Sequence, residues 1–306
     1  MKIAVQMDHV SKLDISGDTT LGLCLEAQNR GYKIFQYLPD NMTFVDGRIQ
    51  AICEEMELRD QVGNHFKLGK PYIEDLNNFD IILMRQEPPF DMSYITYTHL
   101  LEHLNDKVRI INNPKSVRNS PEKLLVTHFH DLMPPTIISR NIQEIIAFAE
   151  AHNTIVLKPL FGKGGDGIIR LDSKESKFIE SLSSYLAKGI EPIMAQTFLP
   201  IVKDGDKRIV LLKGEPVGCL NRIPPEGDFR SNLGVGGKPV LADLSESDKE
   251  ICARLKKVLL DLDLYFVGID VIGKYLTEIN VTCPTGIRQI KELGGSDIAK
   301  MFWDQL

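Results

Sequence analysis

The chain has 306 residues, enough for two or three packed modules with cores of their own. A formal net charge of −6 argues against a general binder of nucleic acid or anionic membranes, although a local basic pocket could still recruit an anionic substrate. The five cysteines are scattered without a CxxC pair, and no apolar run has the length of a signal peptide or a membrane span. We therefore expect a cytoplasmic protein without a cysteine-based zinc or redox site.

The first 120 residues alternate between predicted strands and helices. Residues 2–7 and 32–37 are apolar runs typical of buried strands, and residues 19–30 have the pattern of an amphipathic helix that ends at Gly31. The alternation continues with a strand at 79–84, a helix at 94–104 and a strand at 108–111. It predicts a mainly parallel sheet covered by helices, with ligands bound at the carboxyl ends of the strands.

Two further units are predicted after a boundary near Ser120. A serine followed by a proline is typical of the start of a helix, which places Lys123 near that start. Residues 121–200 then combine short strands and helices in a compact α+β unit, and residues 201–306 are rich in strands around one long helix. We therefore expect three domains, at 1–120, 121–200 and 201–306.

The pattern with the most chemical content lies in a predicted hairpin near the end of the chain. Glu278 and Asn280 are two residues apart on a strand and so share a face, and the preceding strand can bring Asp270 alongside them. Oxygen donors of this kind suit Mg2+, whose shell nucleotide phosphates complete. Solvated polar positions on an edge hairpin are the alternative, but the flanking residues are mostly apolar, where an unpaired carboxylate is unfavourable. The pattern therefore predicts a protein that uses ATP.

Residues 161–167 form a glycine-rich segment that formally contains GxGxxG. A dinucleotide-binding fingerprint opens a helix, whereas the β-branched residues 168–171 predict a strand, so the segment is expected at the tip of a hairpin. Such a tip can lay backbone N–H groups over phosphates while Lys163 adds charge. An ordinary glycine turn is the alternative, but the dense glycines after a strand that ends in Lys158 favour phosphate binding.

Further cations could complete a triphosphate site. Lys123, Lys158 and Arg208 each supply donors and positive charge, although any one alone would be an ordinary surface residue. Residues 195–200 lie where the chain leaves the second unit. A hinge at this point could pair its backbone with the edge of an adenine base.

A long loop at 222–237 is rich in glycine and proline and carries Arg222 and Arg230. Loops of this length are either disordered or functional lids, and arginines suit substrate carboxylates or a developing acyl phosphate. Arg85, at a strand end, and Arg288 are further candidate clamps for the substrate.

Histidines 99 and 103 match the HxxEH zinc signature. A metal site needs a further ligand and supporting contacts, so we interpret these histidines as ordinary helix residues.

Taken in order, these segments resemble the ATP-grasp ligases, and most closely the bacterial glutathione synthetase family. The resemblance covers nearly the whole chain, from the first strand through the EPPFD segment at 87–91 and the glycine loop to the final hairpin. The family usually has Asp at position 87 and Ser at position 283, where this chain has Glu87 and Cys283. Neither change removes a metal ligand, but Cys283 could perturb substrate binding or add redox sensitivity.

The resemblance implies a mixed α/β and α+β architecture, the ATP-grasp fold. An N-terminal Rossmann-like domain would precede a small central lid domain and a C-terminal ATP-grasp domain. It also implies a homotetramer whose substrates are small molecules, with no nucleic-acid or membrane partner. The implied reaction uses ATP to phosphorylate the free carboxylate of γ-glutamylcysteine; the amine of glycine then attacks the acyl phosphate, giving glutathione, ADP and phosphate.

The resemblance also implies the roles of individual residues. Mg2+, or Mn2+ in its place, would be bound by Asp270, Glu278 and Asn280. ATP would be bound by Lys123, Lys158, Lys163, Gly164, Gly165, Gln196, Leu199, Asp206 and Arg208. Arg222 and Arg230 would be catalytic, and the substrate would be bound by Arg85, Asn232, Gly236, Gly237 and Arg288.

Two other functions remain open at this stage. A related ligase could add glutamate or another amino acid to a peptide or protein tail, which a screen of acceptor amines would reveal. A non-catalytic regulator on the same fold would bind Mg-ATP and release no phosphate with any acceptor.

Overall fold

The structure, a computed structural model, describes all residues from Met1 to Leu306. Its N-terminal part contains eight strands and three helices. The strands are β1 (Lys2–Gln6), β2 (Lys33–Tyr37), β3 (Met42–Val45), β4 (Arg48–Leu58), β5 (Phe66–Leu68), β6 (Tyr72–Asp75), β7 (Ile81–Met84) and β8 (Arg109–Ile111). The helices are α1 (Thr19–Asn29), α2 (Met92–Leu101) and α3 (Pro114–Asn119).

Four of these strands form the parallel sheet that the sequence predicts. Strand β1 pairs in parallel with β2 and β7, and β7 pairs in parallel with β8. Antiparallel strands β3 to β6 extend the sheet through β4, which the alternating pattern does not predict. Because the chain moves to β2 on one side of β1 and β7 lies on the other, a crevice forms at the carboxyl ends of β1 and β7.

The central unit has an antiparallel sheet and three helices, of which the second and the third pack on the sheet. Its strands are β9 (Thr136–Ser139), β10 (Thr154–Pro159), β11 (Ile169–Asp172) and β12 (Ile193–Thr197), in the order β11-β10-β12-β9. Its helices are α4 (Glu122–Leu125), α5 (Ile142–His152) and α6 (Phe178–Leu186). A helix begins after Ser120 as predicted, but the serine does not cap it: Ser120 ends α3, and the cap position of the four-residue α4 is Pro121, which provides no side-chain hydrogen bond.

The C-terminal part is an antiparallel sheet flanked by helices. Its strands are β13 (Asp206–Leu212), β14 (Glu215–Ile223), β15 (Lys238–Leu241), β16 (Phe266–Ile272) and β17 (Tyr275–Asn280), in the order β15-β14-β13-β16-β17. The helices are α7 (Glu246–Asp261), α8 (Ile287–Glu292) and α9 (Ile298–Asp304). Helix α7 begins with a capping box between Ser245 and Asp248.

Two of the three apolar cores are shared between distant parts of the chain. One joins Ile3 and Leu21 of the N-terminal part to Val210 of β13 and Phe302 of α9. The central unit has a separate core of 11 residues, all between Ile145 and Ala195. The N-terminal and C-terminal sheets therefore pack as one body, and the central sheet stands over them. No helix combines the length and apolar character needed to cross a bilayer.

Candidate active site

The hairpin of β16 and β17 carries the three predicted oxygen donors. Asp270 lies opposite Glu278 in the strand register, and Asn280 lies two positions further along, so the three share one face. A register shift leaves Thr277 as an extra residue on β17, and its hydroxyl donates to the carbonyl oxygen of Asp270 at 3.1 Å. On a regular strand, residues two apart share a face. The bulge breaks this pattern, so Leu276 stays in the core while Glu278 faces the cavity. The predicted pairing of Asp270 with Glu278 is confirmed.

Both carboxylates are paired with cations. Asp270 accepts from Arg208 at 2.6 and 3.1 Å and lies 3.1 Å from Nη2 of Arg222. Burial alone would raise the pKa of Asp270, but the two guanidinium groups hold it well below its usual range. Glu278 lies 2.6 Å from Nζ of Lys123. Burial opposes the charge of Lys123, yet Glu278 raises the pKa of Lys123 above its usual value.

The donor set fits a hard divalent cation. Asp270, Glu278 and Asn280 offer carboxylate and amide oxygens, which are the ligands of Mg2+. The buried amide nitrogen of Asn280 has no hydrogen-bond partner, so its amide is not fully committed to the protein. The HxxEH alternative has no such convergence: the ring of His99 is exposed 3.7 Å from Glu102, and that of His103 packs on Phe44.

A cavity of about 450 Å³ lies between the central and C-terminal sheets. At one end, Lys158 donates to Oε1 of Gln196 at 2.8 Å and makes no ion pair with the protein. Burial lowers the pKa of Lys158. Apolar side chains complete the wall at this end: Val156, Ile168, Phe198, Leu199 and Ile272. A buried cation beside an apolar wall suits the phosphates and the base of a nucleotide.

The glycine-rich segment is the tip of the β10–β11 hairpin, as predicted. Gly164 and Gly165 have φ values of 62° and 86°, a region that favours glycine. Lys163 pairs with Glu87 of the N-terminal part, and Nζ of Lys123 donates to the carbonyl oxygen of Gly162 at 3.1 Å. The loop therefore contacts the N-terminal part through Lys163 and the start of the central unit through Lys123.

The loop at 222–237 closes over the same cavity. Arg222 is buried and donates to Asp206 at 2.7 Å, and the hydroxyl of Ser231 donates to the same carboxylate at 3.0 Å. Arg230 pairs with Asp228 at 2.8 Å, and hydrogen bonds from Arg230 lower the pKa of Asp228 to about 2. Arg230 is therefore half-exposed and paired within the loop, whereas Arg222 is buried and paired with a strand residue.

Four predicted substrate residues do not line the cavity: Arg85, Gly236, Gly237 and Arg288. Arg288 lies against α1 and pairs with Asp60 at 2.9 Å, and Gly237 packs on the backbone of Ser231. All the other predicted site residues line the cavity: Lys123, Lys158, Lys163, Gly164, Gly165, Gln196, Leu199, Asp206, Arg208, Arg222, Arg230, Asn232, Asp270, Glu278 and Asn280.

Glu122, Phe198 and Phe229 are among the cavity residues that were not predicted from the sequence. Glu122 accepts from the hydroxyl of Thr282 at 2.7 Å, and its position beside Lys123 is the only sequence signal for it. Phe198 and Phe229 meet edge to face, with ring centres 5.9 Å apart, and so join the hinge to the loop at 222–237. No local pattern marks this pair, because its members are 31 residues apart, 198 to 229.

Comparisons with known proteins agree with this geometry. Residues 1–118 match the family model described as "Prokaryotic glutathione synthetase, N-terminal domain", and residues 122–295 match the model for its ATP-grasp domain. The chain is 50% identical over 304 residues to a glutathione synthetase of Brucella melitensis, covering 99% of this chain and 97% of that protein. It is 49% identical to a glutathione synthetase of Agrobacterium fabrum, covering 99% of this chain and 95% of that one.

A solved structure extends the comparison to the fold. D-cycloserine synthetase DcsG superimposes with a TM-score of 0.69 at 14% identity, covering 99% of this chain and 98% of that one. The RimK domain protein ATP-grasp of Sphaerobacter thermophilus gives a TM-score of 0.62 at 14% identity, with 99% and 98% covered. The predicted ATP-grasp fold is thus confirmed. The chain belongs to the prokaryotic glutathione synthetase family of ATP-grasp ligases.

Proposed function

We propose that this chain joins glycine to γ-glutamylcysteine at the expense of ATP, giving glutathione, ADP and phosphate. Family membership supports this reaction, and one structural observation carries it. Buried cations, two carboxylates and an amide from different sheets converge on a single cavity of about 450 Å³. Such a site can hold a triphosphate beside a carboxylate and exclude water from a reactive product.

The first step is phosphoryl transfer. A carboxylate oxygen of the dipeptide attacks the γ-phosphorus of ATP, the bond from that phosphorus to the β,γ-bridging oxygen breaks, and ADP and an acyl phosphate result. Lys158 is suited to neutralise the phosphates, because its only hydrogen-bond partner is the neutral Gln196. Lys123 and Arg208 add positive charge, and the glycine loop at 162–167 supplies backbone N–H groups.

We propose that Asp270, Glu278 and Asn280 hold Mg2+, with Mn2+ as an alternative. When bound, the ion would supply positive charge that offsets the charge developing during transfer. The chain's own residues prepare this position, since the bulge on β17 aims Glu278 at Asp270. Arg222 contributes indirectly, because its contacts at 2.7 Å with Asp206 and 3.1 Å with Asp270 fix both carboxylates.

The second step forms the peptide bond. The neutral amine of glycine attacks the acyl carbon, the bond from that carbon to the phosphate oxygen breaks, and the nitrogen loses a proton. We assign the stabilisation of the leaving phosphate to Arg230, which lines the cavity on the loop at 222–237. Asn232 and Arg230 both lie near Gly165 of the glycine loop.

The remaining nucleotide contacts follow from the cavity wall. We assign the base and ribose to Gln196, Leu199 and Asp206, which line the end of the cavity that contains Lys158. One carboxylate oxygen of Asp206 is buried without a partner and could accept from a ribose hydroxyl.

We also propose a cytoplasmic homotetramer with domains at 1–120, 121–200 and 201–306. The compartment is supported by the five free cysteines, which suit a reducing environment. Light scattering of the purified protein tests the assembly, and a mass of one or two chains would contradict it.

The test of the reaction is phosphate release from Mg-ATP and γ-glutamylcysteine, with and without glycine, together with mass detection of the product. We expect glycine-dependent phosphate and a glutathione mass. Phosphate release that responds to another amino acid and not to glycine would contradict the proposal. ATP binding without any phosphate release would favour a regulator.

A further inference from the structure

The loop at 222–237 is attached to the rest of the protein at few points. Strand pairing fixes its two ends, where Ile223 of β14 lies opposite Lys238 of β15. Between these ends, the backbone hydrogen bonds of residues 224–237 all stay within the loop. The only side-chain hydrogen bond that leaves this segment runs from the hydroxyl of Ser231 to Asp206 at 3.0 Å. The position of the loop over the cavity therefore depends on its other contacts.

An aromatic contact provides a second attachment. The ring of Phe229 meets the ring of Phe198 edge to face, with ring centres 5.9 Å apart and an angle of 86° between the planes. Phe198 follows β12, and its backbone N–H donates to the carbonyl oxygen of Thr154 at 3.0 Å, so this ring is tied to the central sheet. Aromatic pairs in this arrangement are more favourable than their buried area alone. Phe229 thus docks the loop on the central unit.

A cation lies against both rings. The guanidinium carbon of Arg170 is 5.2 Å from the ring centre of Phe198 and 5.9 Å from that of Phe229. A guanidinium at this distance from an aromatic ring is attracted to the ring electrostatically. Arg170 lies on β11 opposite Val156, a residue that lines the cavity, so its side chain is on the cavity-facing side of the central sheet. Arg170, Phe198 and Phe229 therefore form one aromatic cluster from three segments of the chain.

The two attachments of the loop lie on either side of Arg230. Phe229 precedes it and docks on the central unit, and Ser231 follows it and makes the hydrogen bond to the start of β13. Arg230 lies near the glycine loop, where a Cβ atom on Gly165 would be 3.8 Å from its Cδ. Its side-chain hydrogen bonds go to Asp228, within its own loop. Its neighbours in the chain therefore place this guanidinium at the cavity, and no ion pair of its own with the rest of the protein does so.

We propose that Phe229 is a positioning residue for Arg230, and that Phe198 and Arg170 form the dock for its ring. The inference rests on the proposed function, because it assigns what holds the arginine that stabilises the leaving phosphate. Phe198 also lines the end of the cavity that contains Lys158, to which we assign the nucleotide. The aromatic cluster thus links the nucleotide end of the cavity to the group that acts on the acyl phosphate.

Three variants and two controls test this role. Phe229→Ala removes the ring, Phe229→Tyr keeps it, and Arg170→Met removes the charge but keeps most of the length. Phe148→Ala removes a half-buried ring of α5, and Lys213→Met removes a cation that lies over another ring. Neither control residue lines the cavity. The measurements are kcat, KM for ATP and hydrogen exchange of residues 224–237, and Phe229→Ala is also made in an Arg230→Ala background.

We expect Phe229→Ala to lower kcat about tenfold or more, because a misplaced group loses much of its effect on the transition state, while KM for ATP stays near its wild-type value. Phe229→Tyr should restore kcat, and Arg170→Met should lower it less than Phe229→Ala does. In the Arg230→Ala background, Phe229→Ala should change kcat by less than about twofold, because the ring then has no group to place. Hydrogen exchange in 224–237 should be faster in Phe229→Ala and in Arg170→Met, and unchanged in both controls.

Loss of kcat by the same factor with and without Arg230 would overturn the assignment, because a general structural defect does not depend on that arginine. A raised KM for ATP at unchanged kcat would also overturn it, and would make Phe229 a contact of the base. Hydrogen exchange needs no turnover, so unchanged exchange in Phe229→Ala would refute the dock whatever the reaction is. Failure of the wild type to release phosphate with γ-glutamylcysteine and glycine would instead refute the proposed function.

Discussion

At the scale of single residues, the site is a chain of buried charges in which most groups have a partner. Asp206, Arg222, Asp270 and Arg208 follow one another with contacts of 2.6 to 3.1 Å. Each isolated charge would be unfavourable in this environment, so the groups stabilise one another only as a set. The exception is Lys158, which has only the neutral Gln196 as a partner and which we assign to the phosphates of ATP.

Removing one member of the set should be strongly destabilising. Arg222→Ala leaves Asp206 and Asp270 buried without their shared partner, and we expect the free energy of unfolding to fall by about 3–5 kcal/mol. Because Arg208 still pairs with Asp270, Asp206 is the carboxylate left without a cation. Its pKa should rise, so the loss should be smaller at acidic pH, where Asp206 can take a proton. Urea unfolding across pH measures it. Arg254→Ala, in an exposed pair with Asp131, is the control and should change stability by less than about 1 kcal/mol.

Replacing Lys158 should weaken ATP binding without lowering stability. Burial lowers its pKa and it has no anionic partner, so Lys158→Met should preserve the melting temperature or raise it. The same change should raise KM for ATP at least about tenfold, which corresponds to one charge-assisted hydrogen bond. Melting curves with and without Mg-ATP measure both effects, and a normal ATP-induced shift would argue against a phosphate contact.

At the scale of elements, two irregular segments shape the site. The extra residue Thr277 on β17 lets an apolar strand present Glu278 to the cavity, and the positive φ angles of the β10–β11 tip expose its backbone. Regular strands would bury or scatter these groups.

The glycine loop permits a paired test. Gly164 and Gly165 both have positive φ, so alanine strains either position by about 1 kcal/mol. A side chain at 164 meets nothing within 4 Å, whereas one at 165 would lie 3.0 Å from Oδ1 of Asn232 in the covering loop. We therefore expect Gly165→Ala to raise KM for ATP more than Gly164→Ala does. Steady-state kinetics of the two variants decides this, and equal effects would mean that the two loops close independently.

At the scale of the whole molecule, the apolar cores do not follow the domain boundaries along the chain. The N-terminal and C-terminal sheets share two cores; the central sheet has one of its own and also reaches one shared core through Met194 and Leu160. The central unit is therefore packed on the rest of the molecule at one side of the cavity and has a core of its own at the other.

A residue near the end of the chain should thus stabilise its beginning. Phe302 of α9 is fully buried in the core that contains Ile3 and Leu21. Phe302→Ala should lower the free energy of unfolding by about 3–5 kcal/mol and speed hydrogen exchange in β1. Ile190→Ala, at an 84% exposed position, is the control and should have little effect. Unchanged exchange in β1 would show that the two sheets do not share a cooperative core.

The sequence by itself determined the parallel strands, the family and the local motifs of the site. Periodicity predicts the parallel strands, and local spacing predicts that Glu278 and Asn280 share a face and that residues 161–167 form a hairpin tip, because these features depend on neighbours in the chain. The family also follows from such local motifs taken in order.

Only the tertiary structure decided which charges meet. Arg85 pairs with no acid while Arg222 pairs with two, and Phe229 reaches Phe198, although nothing in their local sequence distinguishes these outcomes. Burial and pairing arise when separate strands pack together, and the energy of a charge depends on that packing and not on its position in the chain.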